Sequence, residues 1–297
     1  EARLRRELHS LSAALKRSVP FHSPRYLGHM VSDVLLPGLA AQFLTLPYNP
    51  NNVSVDAAPV TIDLEIKTGL QLARMLGFPT DTTREDCAFG HLTSGGTVAN
   101  FQAMRLAMAL KAFPVALLAA NPPDISLPED DWHAYNLTPD ESIALLSKWH
   151  HWLDQQSTQD KQHYLRRLRA ERIETRGLSD FFTTHTDLVV PSVLAPITAH
   201  YSWSKGVKLL GLGRQQLMPV PVRGMRMNCD ALHDIIQNHL KQQKPILMAI
   251  GVLGSTEFGT IDPIHEVLRE RDWAAKQGLG FSVHVDAAWG GYLATLF

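Results

Sequence analysis

Cysteine, net charge and long apolar runs are all scarce in this sequence, and each scarcity excludes a class of protein. Only two of the 297 residues are cysteine, which excludes a disulfide framework and a cysteine-based metal site and is typical of reduced thiols in a cytoplasmic protein. The 28 basic and 29 acidic side chains give a net charge of -1, so nothing in the charge balance favours nucleic acid or an anionic membrane as a partner. No apolar run approaches the ~20 residues that span a bilayer. Residues 1–6 are charged and are not followed by the apolar stretch of a signal peptide.

Two helices are predicted in the N-terminal part of the chain. Leucines recur at three- and four-residue steps over residues 1–18, and a second apolar face runs from Val60 to a closing glycine, Gly77. Between them, residues 48–52 form a polar turn cluster that by pattern alone indicates a surface loop. We expect residues 1–58 to form an N-terminal helical segment and residues 59–297 to form a larger domain. The apolar helix faces suit a dimer interface or packing on their own domain.

A glycine-rich turn opens the next helix. The residues Ser94-Gly95-Gly96-Thr97 precede an apolar segment that reaches about Ala112, and the unpaired N–H groups of such a helix start favour an anion. A plain helix cap is the alternative. Residues 114–139 are rich in proline and aspartate and predict a surface loop, after which Thr138 and Glu141 form a capping pattern.

Strands and helices then alternate, which predicts a mainly parallel sheet flanked by helices. The strand-like segments are 188–190, 216–222, 246–252 and 281–285, and the helical segments between them are 199–210, 229–242 and 263–277. Asp262 stands at the start of the last helix, where an N-cap explains it better than a catalytic role.

Polar residues follow several of these strands, at the sheet edge where ligands bind in open α/β folds. Asp286 ends an apolar run, and a buried carboxylate there requires a partner such as a protonated ring nitrogen on a ligand. His200 begins a helix and would stack on an aromatic ring, or it is a cap or core histidine. Lys205 nearby is expected to be a solvated charge. His284 shares the strand face of Asp286, to which it would donate a hydrogen bond unless it is simply buried.

These pieces fit one ligand. An anion would lie at Ser94–Thr97, a flat ring between His200 and the region of Ala288, and a ring nitrogen at Asp286. Pyridoxal 5'-phosphate (PLP) has all three features, and a carboxylate that keeps its ring nitrogen protonated makes the ring an electron sink.

The motifs resemble those of the PLP-dependent group II amino-acid decarboxylases of fold type I, and most of all the bacterial tyrosine decarboxylases. The segments that carry the resemblance follow one another in family order and are RYLGHM (25–30), YNPNNV (48–53), HLTSGGTVAN (91–100), HYSW (200–203), GVLGST (251–256) and HVDAAWGG (284–291). The second and fourth are the most specific to the subgroup.

The resemblance implies an α/β large domain, a homodimer and a role for each matching position. Asp286 and His200 would be catalytic, the first by pairing with the ring nitrogen and the second by stacking on the ring and donating a proton after CO2 leaves. The substrate would contact residues of the second motif. The implied PLP-binding residues are Ser94, Gly95, Gly96, Thr97, His200, Thr256, His284, Asp286 and Ala288, and the implied substrate residues are Tyr48, Asn51 and Asn52.

One departure from the family pattern is the Schiff-base lysine, which in the family lies tens of residues beyond the HVDAA motif. This sequence has no lysine after Lys276, so it is expected to be part of a longer or assembled enzyme, without the rest of the large domain and the small C-terminal domain, and inactive alone. The expected reaction is decarboxylation of an aromatic L-amino acid. There are two alternatives. The enzyme would act on an acidic amino acid, or the chain would be a non-catalytic fragment with the PLP fold.

Overall fold

The computed structural model describes residues 1–26, 28 and 34–296. Two compact units make up the chain, unit 1 over Glu1–Leu92 and unit 2 over Thr93–Phe297. This division falls after the second predicted helix, and the assignment of residues 1–58 and 59–297 to separate domains stays a prediction. The first family-like motif, residues 25–30, lies partly outside the described residues, because Leu27, His29 and Met30 are not among them.

The described part of unit 1 contains three helices, and few of their residues are buried. Helix α1 spans Ala2–Leu15, α2 spans Leu36–Thr45 and α3 spans Pro59–Met75. Both predicted helices are present, and the positive φ of Gly77 (80°) follows the end of α3 as its sequence indicates. Helix α1 has no buried residue, although its leucines form the regular apolar stripe that predicted it.

Unit 2 is built on the predicted parallel sheet. Strands β1 (Ser192–Pro196), β2 (Leu217–Val220), β5 (Ile246–Val252) and β6 (Ser282–Asp286) lie in the order β2-β1-β5-β6, and β3 (Val222–Arg223) and β4 (Arg226–Met227) form a separate antiparallel pair. The strand predicted at 188–190 is wrong, since pairing begins only at Ser192. The apolar run there precedes Pro191, which has no N–H to give to a ladder, and only Leu188 of the three is buried.

Helices cover both faces of the sheet. Helices α4 (Gly96–Ala120) and α9 (Ser202–Leu209) pack on the face that carries Val193 and Ala195, and α10 (Cys229–Lys241) and α11 (Ile264–Lys276) pack on the face that carries Leu194. The alternation of side chains along a strand explains this division. Helices α5 (Asp131–Tyr135), α6 (Pro139–Asp154), α7 (Thr158–Glu171) and α8 (Ile173–Thr184, kinked at Gly177) pack around the second half of α4.

The prediction of a surface loop over residues 114–139 is wrong at its start. Helix α4 continues through Pro114 to Ala120, and α5 lies further along the same segment. A proline inside a helix costs ~3 kcal/mol, but Val115, Ala116 and Leu117 are fully buried against neighbouring helices, and burial of this size offsets such a cost. The capping pattern at Thr138 is confirmed, with both reciprocal hydrogen bonds to Glu141 present.

Asp262 is not the N-cap that the sequence predicted. Pro263 occupies that position of α11, with no side-chain capping bond. The buried Asp262 carboxylate instead accepts hydrogen bonds from the backbone N–H groups of Met227 (2.7 Å) and Val252 (2.8 Å). It therefore ties the end of β5 to β4, a long-range role that local sequence does not reveal.

Helix α4 is the single helix in the described ranges that is long and apolar enough to cross a membrane. No such segment was expected from the sequence, and Asn100, Arg105 and Lys111 do interrupt the apolar residues of α4. In its most apolar stretch, 56% of α4 is buried inside unit 2. Core helices of soluble proteins can be equally long and apolar, so the length and composition of α4 are weak evidence for a membrane span.

Candidate cofactor site

A cavity of about 340 Å³ opens at the carboxyl ends of β1, β5 and β6, within unit 2. Its size falls in the range of small-molecule sites, ~300–1,000 Å³, and its place at the strand ends is where open α/β sheets bind ligands. The start of α4 and the loops after the three strands contribute its walls. The lining residues are Gly96, Thr97, Asn100, Thr198, His200, Tyr201, Val252, Gly254, Ser255, Thr256, Asp286, Ala288 and Trp289.

Asp286 is the buried charge of this cavity, with 8% of its surface exposed. The Asn100 side-chain amide donates to Asp286 Oδ2 at 2.9 Å, and the Trp203 indole N–H donates to the same oxygen at 3.1 Å. No residue that the structure describes donates to Oδ1. A carboxylate that lines a cavity with one oxygen held and the other without a donor suits a cationic hydrogen-bond donor on a ligand.

The start of α4 lies beside the loop that follows β6, and both line the cavity. Gly95 caps the helix in a conformation that favours glycine (φ 133°), and the first helical turn carries no acidic side chain. A Cβ on Gly96 would lie 3.4 Å from the Ala288 Cβ, which shows how closely the two elements approach. Val98 donates its N–H to the Gly95 carbonyl (3.1 Å), so in this first turn the N–H groups of Gly96 and Thr97 are those available to an anion.

The loops after β5 and β6 form the floor of the cavity. Gly290 donates its N–H to the carbonyl of Leu253 (3.0 Å), and a Cβ at Gly290 would collide with that carbonyl, so the two loops meet only because glycine stands there. Ser255 is held by Thr260 through a hydroxyl contact of 2.8 Å. Thr256, which follows Ser255 in this floor, is half-buried and lines the cavity.

His200 lies at the wall of the cavity with a defined ring orientation. Its Nδ1 accepts a hydrogen bond from the backbone N–H of Ser202 (3.2 Å). In a neutral imidazole the proton is therefore on Nε2. Its ring centroid is 4.1 Å from that of Tyr201.

This chain is similar in sequence and in fold to known pyridoxal-dependent decarboxylases. Residues 185–297 match the family model described as pyridoxal-dependent decarboxylase conserved domain. The L-tyrosine decarboxylase of Levilactobacillus brevis is 33% identical to this chain, over 94% of this chain and 41% of its own length. The L-tyrosine decarboxylase of Enterococcus faecalis is 31% identical, over 98% of this chain and 43% of its own length. The crystal structure of mouse CSAD superposes with a TM-score of 0.64 at 21% identity, over 98% of this chain and 45% of that one.

The chain is a relative of the group II PLP-dependent decarboxylases. Its fold is the α/β fold of that family, as the resemblance implied. The chain spans less than half the length of the tyrosine decarboxylases that it matches.

Six of the predicted site residues line this cavity, namely Gly96, Thr97, His200, Thr256, Asp286 and Ala288. Ser94 and Gly95 precede α4 without lining the cavity. Lys205 is exposed, as expected, with its ammonium 4.4 Å from the centre of the Tyr201 ring. The individual roles of these residues stay predictions.

The suggested hydrogen bond from His284 to Asp286 is absent among the described residues. His284 instead lies edge-on to Trp203, with ring centroids 5.0 Å apart. Burial lowers the pKa of His284, and the nearby Asp286 carboxylate opposes that shift only in part. The imidazole is therefore neutral at pH 7 and belongs to the packing beneath the cavity.

The three predicted substrate residues lie in unit 1. Tyr48 is 79% exposed, and Asn51 is also exposed. Asn52 is engaged within its own unit, where its amide donates to Glu65 Oε2 (2.6 Å) and accepts from the Thr61 hydroxyl (2.6 Å). These bonds anchor the turn to α3.

Sequence reasoning missed the two residues that hold Asp286. Asn100 and Trp203 both stand inside motifs that carried the resemblance, but neither was assigned a role. Asn100 offered one signal, because a polar residue in an almost continuously apolar helix must find a partner. Trp203 offered none, because its indole N–H reaches a strand 83 residues away.

The residues of the cavity fit PLP. The first turn of α4 suits a phosphate, the fixed loop floor suits a flat ring, and the free oxygen of Asp286 suits a protonated pyridine nitrogen. In the part of the chain that the structure describes, no group of three or more His, Cys, Asp or Glu side chains is arranged to hold a metal ion.

Proposed function

We propose that the cavity of unit 2 binds PLP and that this chain forms part of an enzyme that decarboxylates an aromatic L-amino acid to its amine and CO2. The observation that carries the proposal is the buried carboxylate of Asp286, held through Oδ2 alone, at the strand ends and facing the start of α4. A carboxylate so placed requires a cationic partner, and a pyridinium nitrogen meets that requirement.

Each part of the cavity has a task in this proposal. At the start of α4, where Gly96 and Thr97 line the cavity, backbone N–H groups would bind the phosphate. Thr256 and Ala288 contact the ring, and Asp286 keeps a proton on the ring nitrogen. Bound PLP supplies an electron sink for the pair of electrons that remains when CO2 leaves.

His200 is the proposed proton donor. Its Nδ1 is engaged by the Ser202 N–H, so the proton that it can give is on Nε2. A donor at this position would deliver the proton that replaces the carboxyl group. Replacement of His200 by Asn would keep a polar side chain of similar reach but remove the acid, so turnover should fall by about 10²–10⁴-fold while PLP remains bound.

An aromatic substrate is favoured over an acidic one by the cavity and by the relatives. No Arg or Lys is found among the described residues that line the cavity, and an acidic side chain would require such a cation. The tyrosine decarboxylases are 29–33% identical to this chain over most of its length, whereas the Aliivibrio fischeri aspartate 1-decarboxylase is 25% identical. The acidic substrate class remains the second candidate, because the decarboxylases that act on it share the resemblance.

A homodimer is part of the proposal. The leucines of α1 are between 56% and 62% exposed, and the side chains of Leu36, Phe43 and Leu44 in α2 are also largely exposed. Apolar surface of this extent is typical of a protein interface. Light scattering of the purified protein should give twice the chain mass, and a monomer at all concentrations would contradict this part.

The test of the function is a decarboxylation assay on the natural polypeptide that carries this sequence, saturated with PLP. We expect CO2 release from L-tyrosine or a related aromatic amino acid to exceed that from L-glutamate and L-aspartate by at least about 100-fold, since an unmatched buried charge costs several kcal/mol. Preference for the acidic substrates would overturn the substrate class. PLP binding without CO2 release from any amino acid would support the non-catalytic alternative.

A further inference from the structure

Two hydrogen-bond donors converge on one oxygen of Asp286, and this arrangement has a consequence for where a proton can lie. The Asn100 amide and the Trp203 indole both reach Oδ2, at 2.9 and 3.1 Å. An indole N–H is a donor only, so it cannot reverse its role. Asn100 Nδ2 also donates to the Ser202 hydroxyl (3.0 Å), which uses its second hydrogen. A proton on Oδ2 would therefore lie close to the donated hydrogens of Asn100 and Trp203, which is unfavourable.

The Trp203 donor is held rigidly in place. Its side chain is 1% exposed and belongs to the core cluster between α4, α9 and the sheet. Helix α9 approaches α4 closely at Gly206, where a Cβ would collide with the Met104 side chain. The edge of the His284 ring closes the other side of the indole. A different rotamer of Trp203 would therefore clash with these neighbours or leave a cavity in the core.

We propose that Trp203 and Asn100 are positioning residues. By donating to Oδ2 they stabilise the charged carboxylate of Asp286 and leave Oδ1 to face the ligand, and so they keep the proton shared by Asp286 and the PLP ring on the ring nitrogen. This inference rests on the proposed binding of PLP.

The physical reason is that hydrogen bonds to the charged form of a carboxylate favour that form. The two donors on Oδ2 stabilise the carboxylate form of Asp286 relative to its protonated form, so the proton of the pair would stay on the ring nitrogen. With one donor removed, the carboxylate competes for the proton through Oδ1, and it is also free to rotate. The ring nitrogen then loses part of its positive charge, and with it part of its strength as an electron sink.

A purely structural role for Trp203 would be different. It would predict a loss of stability when the side chain is changed and no change in the protonation of bound PLP. The deciding readout is therefore the NMR signal of PLP labelled with ¹⁵N in the ring, which reports the proton on that nitrogen directly and does not require turnover.

The experiment compares three variants of the natural polypeptide reconstituted with labelled PLP. Trp203→Phe keeps the aromatic ring and removes the N–H, and Asn100→Leu keeps the side-chain shape and removes the amide. Trp149→Phe is the matched control, because Trp149 is also 1% exposed but lies in a different core cluster, between α4, α6 and α7.

We expect the ring nitrogen of the unchanged protein to be protonated at neutral pH. In Trp203→Phe and Asn100→Leu its half-point of deprotonation should fall by about one pH unit, which corresponds to ~1.4 kcal/mol. Affinity for PLP should fall about tenfold in both, the same free energy. Trp149→Phe should match the unchanged protein in both measurements.

The possible failures are distinguishable. If the unchanged protein binds no PLP, the proposed function fails and this inference fails with it. If it binds PLP with a protonated ring nitrogen, and folded Trp203→Phe or Asn100→Leu gives the same ¹⁵N titration and the same affinity, the positioning role is overturned while the proposed function stands. Should Trp203→Phe not fold, Asn100→Leu alone decides.

Discussion

Helices α1 and α4 both present apolar side chains, but those of α1 are exposed and those of α4 are largely buried. The four leucines of α1 are each more than half exposed, whereas Met104, Val115 and Leu117 of α4 are fully buried. Helix α4 packs on the parallel sheet beside α9, and α5 to α8 surround its second half, whereas α1 has no buried residue. The periodic leucines thus predict that α1 is a helix, but they do not predict whether the surface that covers them is in the same unit.

The largest difference between buried and exposed leucines is expected when a leucine in the core of unit 2 is replaced by alanine. Leu232 of α10 is fully buried beneath the sheet, so Leu232→Ala removes contacts and leaves a cavity. We expect it to lower the free energy of unfolding by ~2–5 kcal/mol. Urea denaturation followed by far-UV circular dichroism measures the effect. A loss below ~1 kcal/mol would show that unit 2 is packed more loosely than its burial indicates.

A buried lysine in α4 should make the stability of unit 2 depend on pH. Lys111 Nζ donates to the Gly280 carbonyl (2.7 Å) and to Asn136 Oδ1 (3.3 Å), and it lies 5.0 Å from the centre of the Tyr135 ring. Burial lowers the pKa of Lys111 to about 7. The unfolded chain therefore binds more protons than the folded one between about pH 7 and the ordinary lysine value, and stability should rise with pH in that window, by at most ~1.4 kcal/mol per pH unit.

Urea denaturation at several pH values above 7 measures that slope. Lys111→Met keeps the length of the side chain and removes the titrating group, so its stability should change less with pH than that of the unchanged protein. An equal slope in Lys111→Met and the unchanged protein would assign the pH dependence to other groups. No such buried lysine is found in the described part of unit 1, which should therefore lack this dependence.

Helix capping offers a smaller contrast between the units. Helices α5, α6, α7 and α10 of unit 2 begin with a side-chain cap, whereas α1, α2 and α3 of unit 1 have none. Thr138→Ala removes the capping box of α6 and should cost ~1 kcal/mol of stability. Leu35→Ser adds a cap at the extended, exposed residue before α2 and should stabilise that helix by a similar amount. Hydrogen exchange of the amides of α6 and α2 measures both, and unchanged rates would contradict the contrast.

The smallest effect is expected on α1. Leu8 is 56% exposed, so Leu8→Ala should change the unfolding free energy of the isolated monomer by no more than ~0.5 kcal/mol. A loss of ~2 kcal/mol or more that appears only at concentrations where the protein is a dimer would show that a second copy covers this face. The same loss in a monomer would contradict the exposure of α1.

The parallel sheet could be predicted from the sequence because apolar strand segments such as β5 alternate with amphipathic helical segments such as α10. Sequence reasoning failed where a distant contact decides. Pro114 indicates a loop until its helix is packed on α6 and α7, and Asp262 resembles a cap until β4 and β5 are in place. In the cofactor site, the glycine turn and Asp286 were recognisable from local pattern. The donors to Asp286 were not, because they come from α4 and α9.

Equilibrium titration of the protein with PLP, followed by visible circular dichroism, tests the central claim most directly, with Asp286→Ala alongside. The account predicts saturable binding that induces a signal, and affinity at least about tenfold weaker in Asp286→Ala, since the removed contact is a charge-assisted hydrogen bond in a buried site. Absence of saturable binding by the unchanged protein, or equal affinity in a folded Asp286→Ala, would contradict it.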